Sequence, residues 1–170
     1  MMDPNFHQTV TYICEHSEHG ALGIVINRPL DMELGEVFKQ FSLEQADSDL
    51  AASPILRGGP VQTEHGFVIH ESTEKWEATA SIANSIHVTT SRDILSAMAN
   101  GKGPKRAVVA LGYAGWGAGQ LEAEIAANAW LSVPASADII FETPFEDRWC
   151  RAAEILGVDL TTLSPDAGHA

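Results

Sequence analysis

The sequence predicts an α+β (mixed α/β) fold: a single compact domain with a mixed, largely antiparallel sheet flanked by helices. Three observations carry this reading. The early part of the chain reads as strands joined by short turns, the later part supplies isolated strand–helix units, and no strict βαβα alternation runs through it. A length of 170 residues suits one domain with a core large enough to fold without disulfide or metal. No internal repeat or low-complexity tract divides the chain, so one domain is assigned to 1–160 and a loose tail to 161–170.

The elements follow from local pattern. "QTVTYICEH" (8–16) is rich in β-branched and aromatic residues, "HSEHG" turns the chain, and "ALGIVI" (21–26) returns it as the second strand of a hairpin. Pro29 ends that strand. Leu34, Val37, Phe38 and Phe41 recur at helical spacing, which predicts a helix over 32–41 with Asp31 as N-cap. Residues 42–54 are small and acidic and read as a solvated connection. "ILRGG" and "GFVIH" flank Gly58, Gly59 and Pro60 as a second hairpin. Residues 71–84 carry no clear period.

"IHVTT" (86–90) predicts a strand, followed by a helix over "RDILSAMAN" capped by Ser91 and closed by Gly101. Ala107–Leu111 reads as a strand that stops at Gly112, and a helical period starts at Leu121. "ADIIF" (137–141) reads as one more strand. Thr143 and Glu146 then look like a capping box, with Pro144 at the first helical position, Gly157 at the end, and Phe145, Trp149, Ala153 and Leu156 on one apolar face.

Strand, glycine loop and helix around "ALGYAGWGAGQLEAE" invite a phosphate reading, which fails on chemistry. No Lys follows the glycines, and the third glycine of a GxGxxG pattern falls on Gln120 or Glu122. Glu122 and Glu124 sit where a phosphate would need bare N–H groups at a helix start. The loop therefore reads as backbone geometry, with a small-molecule or peptide pocket lined by Tyr113, Trp116 and Gln120 as the alternative.

Other candidates are few. Asn27 and Arg28 in "NRP" and Arg57 in "RGG" end strands; if these ends meet, they can grip a carboxylate or phosphate, and otherwise each Arg pairs with an acid. Cys14, His16 and His19 lack the further ligands of a zinc site, so no metal and no cofactor is assigned. His65 and His70, five apart on a strand, point to opposite faces. GxSxG is absent, and Glu122 and Glu124 point about 200° apart on a helix, so no catalytic residue is assigned.

Charge bounds the partners. The chain carries 23 acidic and 10 basic residues, a net −13, which opposes DNA and anionic membranes. Its only basic concentration is Lys102, Lys105 and Arg106. Two distant cysteines, no membrane-length apolar run and a start without signal-peptide character predict a cytoplasmic protein.

Several blocks, in order, resemble the YqgE/AlgH family of bacterial proteins: "DPNFHQTVTYICEHSEHGALGIVINRPL" (3–30), "LRGGPV" (56–61), "VTTSRDIL" (88–95), "ALGYAGWGAGQLEAEIAANAW" (110–130) and the closing "GHA". The resemblance implies a compact α+β domain in the cytoplasm, with no established catalytic activity and no obligate cofactor, under a transcriptional-regulator label. It also implies an apolar strand ahead of "DPNF". This chain begins almost at that block, so either its start was placed late or the sheet lacks an edge strand, and a bare edge favours pairing with another chain. The expectation is a non-catalytic binding or regulatory protein for an unknown protein partner or small ligand, acting on transcription only indirectly. The alternatives are an enzyme with a cleft at Asn27, Arg28, Arg57 and the 112–120 loop, and, against the charge, a direct DNA binder.

Overall fold

The computed structural model describes residues 3–44, 47–72, 74–83, 85–157 and 168–169. Its sheet has the strand order β1-β2-β8-β5-β7-β6, where β1 is Thr11–Ser17, β2 Gly20–Val25, β5 Val61–Glu71, β6 Thr79–Ala83, β7 Ile86–Thr89 and β8 Arg106–Gly117. Two further strands, β3 (Pro29–Glu33) and β4 (Pro54–Arg57), pair with each other, and β4 also runs parallel to β8. The other pairings within this sheet are antiparallel. The mixed, largely antiparallel α+β architecture is thus the one the sequence predicts.

Alternation on the strands divides the apolar residues between two faces. Phe67 and Ile69 of β5 join Tyr12, Ile24, Ile26, Leu56 and Ala110 on one face, covered by Ile139, Ile140 and Ala152. Val68 and Val109 turn to the other face and meet Leu34, Val37 and Phe38 of α1 (Leu34–Gln40) and Ile94 and Met98 of α3 (Asp93–Ala99). A third cluster, Ala114, Trp116, Leu121 and Trp130 with Phe6 and Ile13 against it, forms where β8 meets α4 (Gln120–Ala126).

Several local expectations are corrected. Pro29 opens β3 rather than ending β2, because Pro29 and Glu33 pair with Leu56 and Pro54. The first helix therefore starts at Leu34, and its capping box is Glu33 with Glu36, not Asp31. The 42–54 connection holds a short helix, α2 (Ser48–Ala51), capped by Asp47, whose carboxylate accepts the N–H groups of Asp49 and Leu50. β4 and β5 are not a hairpin. Gly58 donates to Leu111 O and accepts from Val25 N, which holds β4 alongside β8 and β2, while β5 pairs with β8 on its other side.

Ser91 does not cap α3. Its hydroxyl accepts from Ala78 N and donates to the Asp93 carboxylate, tying the helix start to the neighbouring loop. "ADIIF" is a π-helical turn over Asp138–Glu142, not a strand. Ile139 and Ile140 are consecutive and both face the core, which a strand cannot arrange; the Thr143 N–H closes the wide turn on Asp138 O. Thr143 and Pro144 thus precede a 3-10 turn (Phe145–Asp147), and the last helix, α5, runs Arg148–Ile155 without a side-chain cap. Gly157 does close it, at φ +67° with its N–H on Glu154 O. Of the proposed apolar face, Leu156 stays exposed, and Arg148 is buried instead.

Most of the 161–170 tail lies outside the described residues; within it, β10 (Gly168–His169) pairs parallel with β9 (Trp130–Leu131). Among the described residues, no helix is long and apolar enough to cross a membrane.

Candidate functional site

The two arginines singled out in the sequence lie side by side. Arg57 N donates to Arg28 O at 2.7 Å, because the start of β3 runs antiparallel to the end of β4. Both line one cavity of about 260 Å3, with Pro4, Asn5, Pro29, Leu30 and Pro60 around them. One Arg28 nitrogen donates to His7 O. Neither guanidinium makes an ion pair among the described residues. A guanidinium has five N–H donors, so most remain available to an anion.

Asn27 does not line this cavity. It is buried, its Oδ1 accepts from Val10 N and its Nδ2 donates to Gln8 O, both at 2.9 Å. It clamps the start of β1, which satisfies its amide fully enough to leave little for a ligand.

Trp116 and Gln120 belong to a different corner. Glu124 Oε2 accepts from both Trp116 Nε1 (2.8 Å) and Trp130 Nε1 (2.9 Å). Its other oxygen accepts from Gln120 Nε2 at 3.2 Å, while Gln120 Oε1 accepts from Gly117 N at 2.9 Å. The two indoles and Phe6 pack in mutual contact. Tyr113 stands apart, edge-on to Phe67 at 5.8 Å. The six candidates therefore separate into Arg28 with Arg57, Trp116 with Gln120, and Asn27 and Tyr113 in packing roles.

The glycines are explained by proximity of main chain. Gly112, Gly115 and Gly117 lie within β8, which runs on past the predicted stop. Gly112 sits at φ +78°, and a Cβ there would stand 2.5 Å from Gly59 O. A Cβ on Gly59 would meet the Tyr113 carbonyl at 2.1–2.2 Å. The "RGG" and "ALGYAG" glycines face each other, and each is small because the other is close. Gly119 alone serves the helix, as its left-handed N-cap at φ +73°.

His16 and Glu122 are structural partners of each other. His16 Nε2 lies 2.5 Å from Glu122 Oε1, and that hydrogen bond holds the Glu122 carboxyl below its ordinary value. Glu122 and Glu124 thus serve different partners, as their angular separation on the helix requires. Burial pushes the Cys14 thiol up to about 12, which disfavours the thiolate. Among the described residues, no group of three or more His, Cys, Asp or Glu could hold a metal ion.

Sequence reasoning named His70 without its burial and missed Arg148 altogether. His70 is fully buried, bonded through Nε2 to Thr89 Oγ1 at 2.8 Å, and burial with the nearby His87 lowers it to about 4. Arg148 donates to Ile26 O (2.6 Å) and Thr143 O (2.9 Å) and covers the Phe145 ring; burial lowers it to about 10, so it stays cationic at neutral pH. Arg148 links α5 to the end of β2. Nothing in its own neighbourhood in the sequence signals this, since Ile26 lies 122 residues away. The Glu124 hub had a weak signal: two tryptophans flanking one acid, each needing a partner for its N–H once buried.

A family described as AlgH-like (DUF179) matches residues 1–161. The chain belongs to the AlgH-like family. It is similar to a UPF0301 protein of Thioalkalivibrio sulfidiphilus, 56% identical over 99% of this chain and 90% of that protein. A UPF0301 protein of Saccharophagus degradans is 51% identical over 100% of this chain and 83% of that protein. The solution structure of the AlgH protein from Pseudomonas aeruginosa superposes with a TM-score of 0.81 at 48% identity, covering 100% of this chain and 90% of that one. An X-ray structure of a Corynebacterium diphtheriae protein shares the fold at 21% identity and a TM-score of 0.67, over 88% of this chain and 78% of that one. The AlgH-like fold thus persists where most side chains differ.

Proposed function

We propose that this AlgH-like protein is a cytoplasmic, non-catalytic binding protein. It recognises a carboxylate or phosphate on a small ligand or protein partner through Arg28 and Arg57. Any effect on transcription runs through that partner, since a net charge of −13 opposes direct contact with DNA. The supporting observation is the pair of arginines lining one cavity, without ion pairs among the described residues in a chain rich in acids. An unneutralised cationic pair in an acidic protein is a local inversion of the field and favours an anionic visitor.

The enzyme reading needs Asn27, Arg28, Arg57 and Gln120 to meet around one substrate. Asn27 is consumed at β1 and Gln120 at the Glu124 corner, so that cleft is not assembled.

The test pairs ligand screening with partner capture. Phosphate esters and di- and tricarboxylates should raise the melting temperature of the wild type but not of Arg57→Ala, as a ligand bound only to the native state must. Cytosolic pull-downs should lose specific partners in the same variant. No stabilisation by any anion, together with identical captured proteins, would remove the reading.

A further inference from the structure

A larger cavity, of about 620 Å3, lies on the sheet face that carries α1 and α3 and shares no lining residue with the arginine cavity. Its size falls in the range that holds small organic ligands. Sheet residues form its floor: Val68 of β5 stands opposite Val109 of β8, and Gly66 stands opposite Leu111. Phe41, at the end of α1, and Leu95 of α3 wall it.

Gly66 is a glycine the fold does not require. Gly59 and Gly112 press on each other's main chain, but a Cβ on Gly66 would meet only Leu111 Cδ2, at an ordinary 4.0 Å. Its φ lies outside the left-handed region. The irregular β5–β8 pairing falls between Val61 and Gly66, and the left-handed residue there is Gln62, at φ +45°. Glycine weakens a strand where neither a turn nor crowding calls for it, and it marks places where something else comes close. Alternation puts residue 66 on the face of Val68, so the absent side chain leaves the cavity open beside Leu111.

Arg92 gives the cavity its charge. Its Nη2 donates to Phe41 O at 2.9 Å and its guanidinium lies 4.5 Å from the Phe41 ring centroid, so the fork is held at the cavity edge. It makes no ion pair among the described residues. The adjacent Asp93 carboxylate is spent on the Ser91 hydroxyl and on the N–H groups of Glu77 and Ile94. Thr89 is buried and bonded to His70 and Thr79, and His65 stands edge-on to Phe67. Glu64, an exposed residue, is the one acid of the lining and does not pair with Arg92. An apolar floor beside a positioned, unneutralised guanidinium suits a molecule that is apolar at one end and anionic at the other.

We infer that this cavity binds a small organic carboxylate with an apolar body. The body lies over Gly66, Val68, Val109 and Leu111, between Phe41 and Leu95, and the carboxylate takes the N–H groups that Arg92 has left.

The test is a 15N NMR titration of the full chain at low salt with 2-naphthoate, 2-naphthamide and 2-naphthylmethylamine. Naphthoate should give saturable shifts at the amides of Gly66, Thr90 and Arg92. The uncharged naphthamide should bind about tenfold more weakly, as should naphthoate to Arg92→Gln, because a charge-assisted pair is lost in each case. Gly66→Val should weaken naphthoate at least about tenfold by filling the floor, while urea denaturation shows stability unchanged or raised, since valine suits a strand and its Cβ has room. Arg57→Ala should leave the affinity unchanged. No saturable shift up to about 5 mM overturns the proposal. So does naphthamide or the amine binding as tightly as naphthoate, or unchanged affinity in Arg92→Gln or Gly66→Val. A clear loss of stability in Gly66→Val also overturns it, since the glycine then serves the strand, and loss of binding in Arg57→Ala does so by placing the probe in the other cavity. Failure at Gly66 and Arg92 leaves the Arg28–Arg57 reading standing, because that reading is measured through Arg57→Ala.

Discussion

The Glu124 corner and the arginine cavity both gather polar side chains that look functional in the sequence, yet they end in opposite conditions. At the corner, one carboxylate accepts from two indoles and a glutamine, and that glutamine accepts from the backbone of Gly117. Every strong donor is used. In the cavity, Arg28 spends one nitrogen on a carbonyl, and neither it nor Arg57 meets a carboxylate among the described residues. The lesson is that a conspicuous aromatic and glycine motif can be entirely consumed by folding, while two plain strand ends keep unspent charge. Polar groups reveal function by what the fold leaves unsatisfied.

Four measurements sharpen or break this contrast, and the largest effect belongs to Gly112, packed against Gly59 on the arginine-cavity side. Gly112→Ala should lower stability by about 4 kcal/mol, from a left-handed backbone and a Cβ driven into Gly59 O. Urea denaturation measures it; a loss under about 1 kcal/mol would mean the two segments do not press together as described.

His70 provides a committed group away from both regions. Its pKa of about 4 lies below the ordinary 6.5, so the unfolded chain binds the proton more readily. The neutral ring's contribution is complete above pH 6.5 and is lost as pH falls towards 4. Wild type should lose up to about 3 kcal/mol more over that interval than His70→Gln, which keeps an amide for Thr89 but does not titrate. Parallel pH profiles for the two proteins would contradict a buried neutral histidine.

Glu124→Ala should cost about 2 kcal/mol by stranding two indole donors, and Glu124→Gln distinctly less, because an oxygen acceptor is retained. Equal losses would show that packing, not the hydrogen bonds, holds the corner. Arg57→Ala is expected at the small end, within about 0.5 kcal/mol, since an exposed side chain without an ion pair among the described residues supports little. Its effect should appear in anion stabilisation instead. A large stability loss there would turn Arg57 into another committed residue and erase the contrast.

Elements whose signal is local were legible in the sequence. The β1–β2 hairpin, the helices containing Val37 and Ile94, and the Gly157 stop follow from turn chemistry, 3.6-residue spacing and a left-handed glycine. Misreadings arose where a short apolar run fits two periods, as in "ADIIF", or where two plausible strands find partners other than each other, as with β4 and β5. The candidate site was half legible. Arg28 and Arg57 stood out as charged strand ends, but their adjacency depends on β3 pairing back onto β4.

The sequence alone determined the class of the fold, its family and its acidic field, because composition, periodicity and block order are properties of the chain itself. The tertiary structure decided which glycines face each other, that Arg148 bridges to Ile26, and that β3 pairing back onto β4 sets Arg28 beside Arg57. These are contacts between residues far apart along the chain. Their free energy depends on distance in space, and spacing in sequence carries no record of it until the strands have paired.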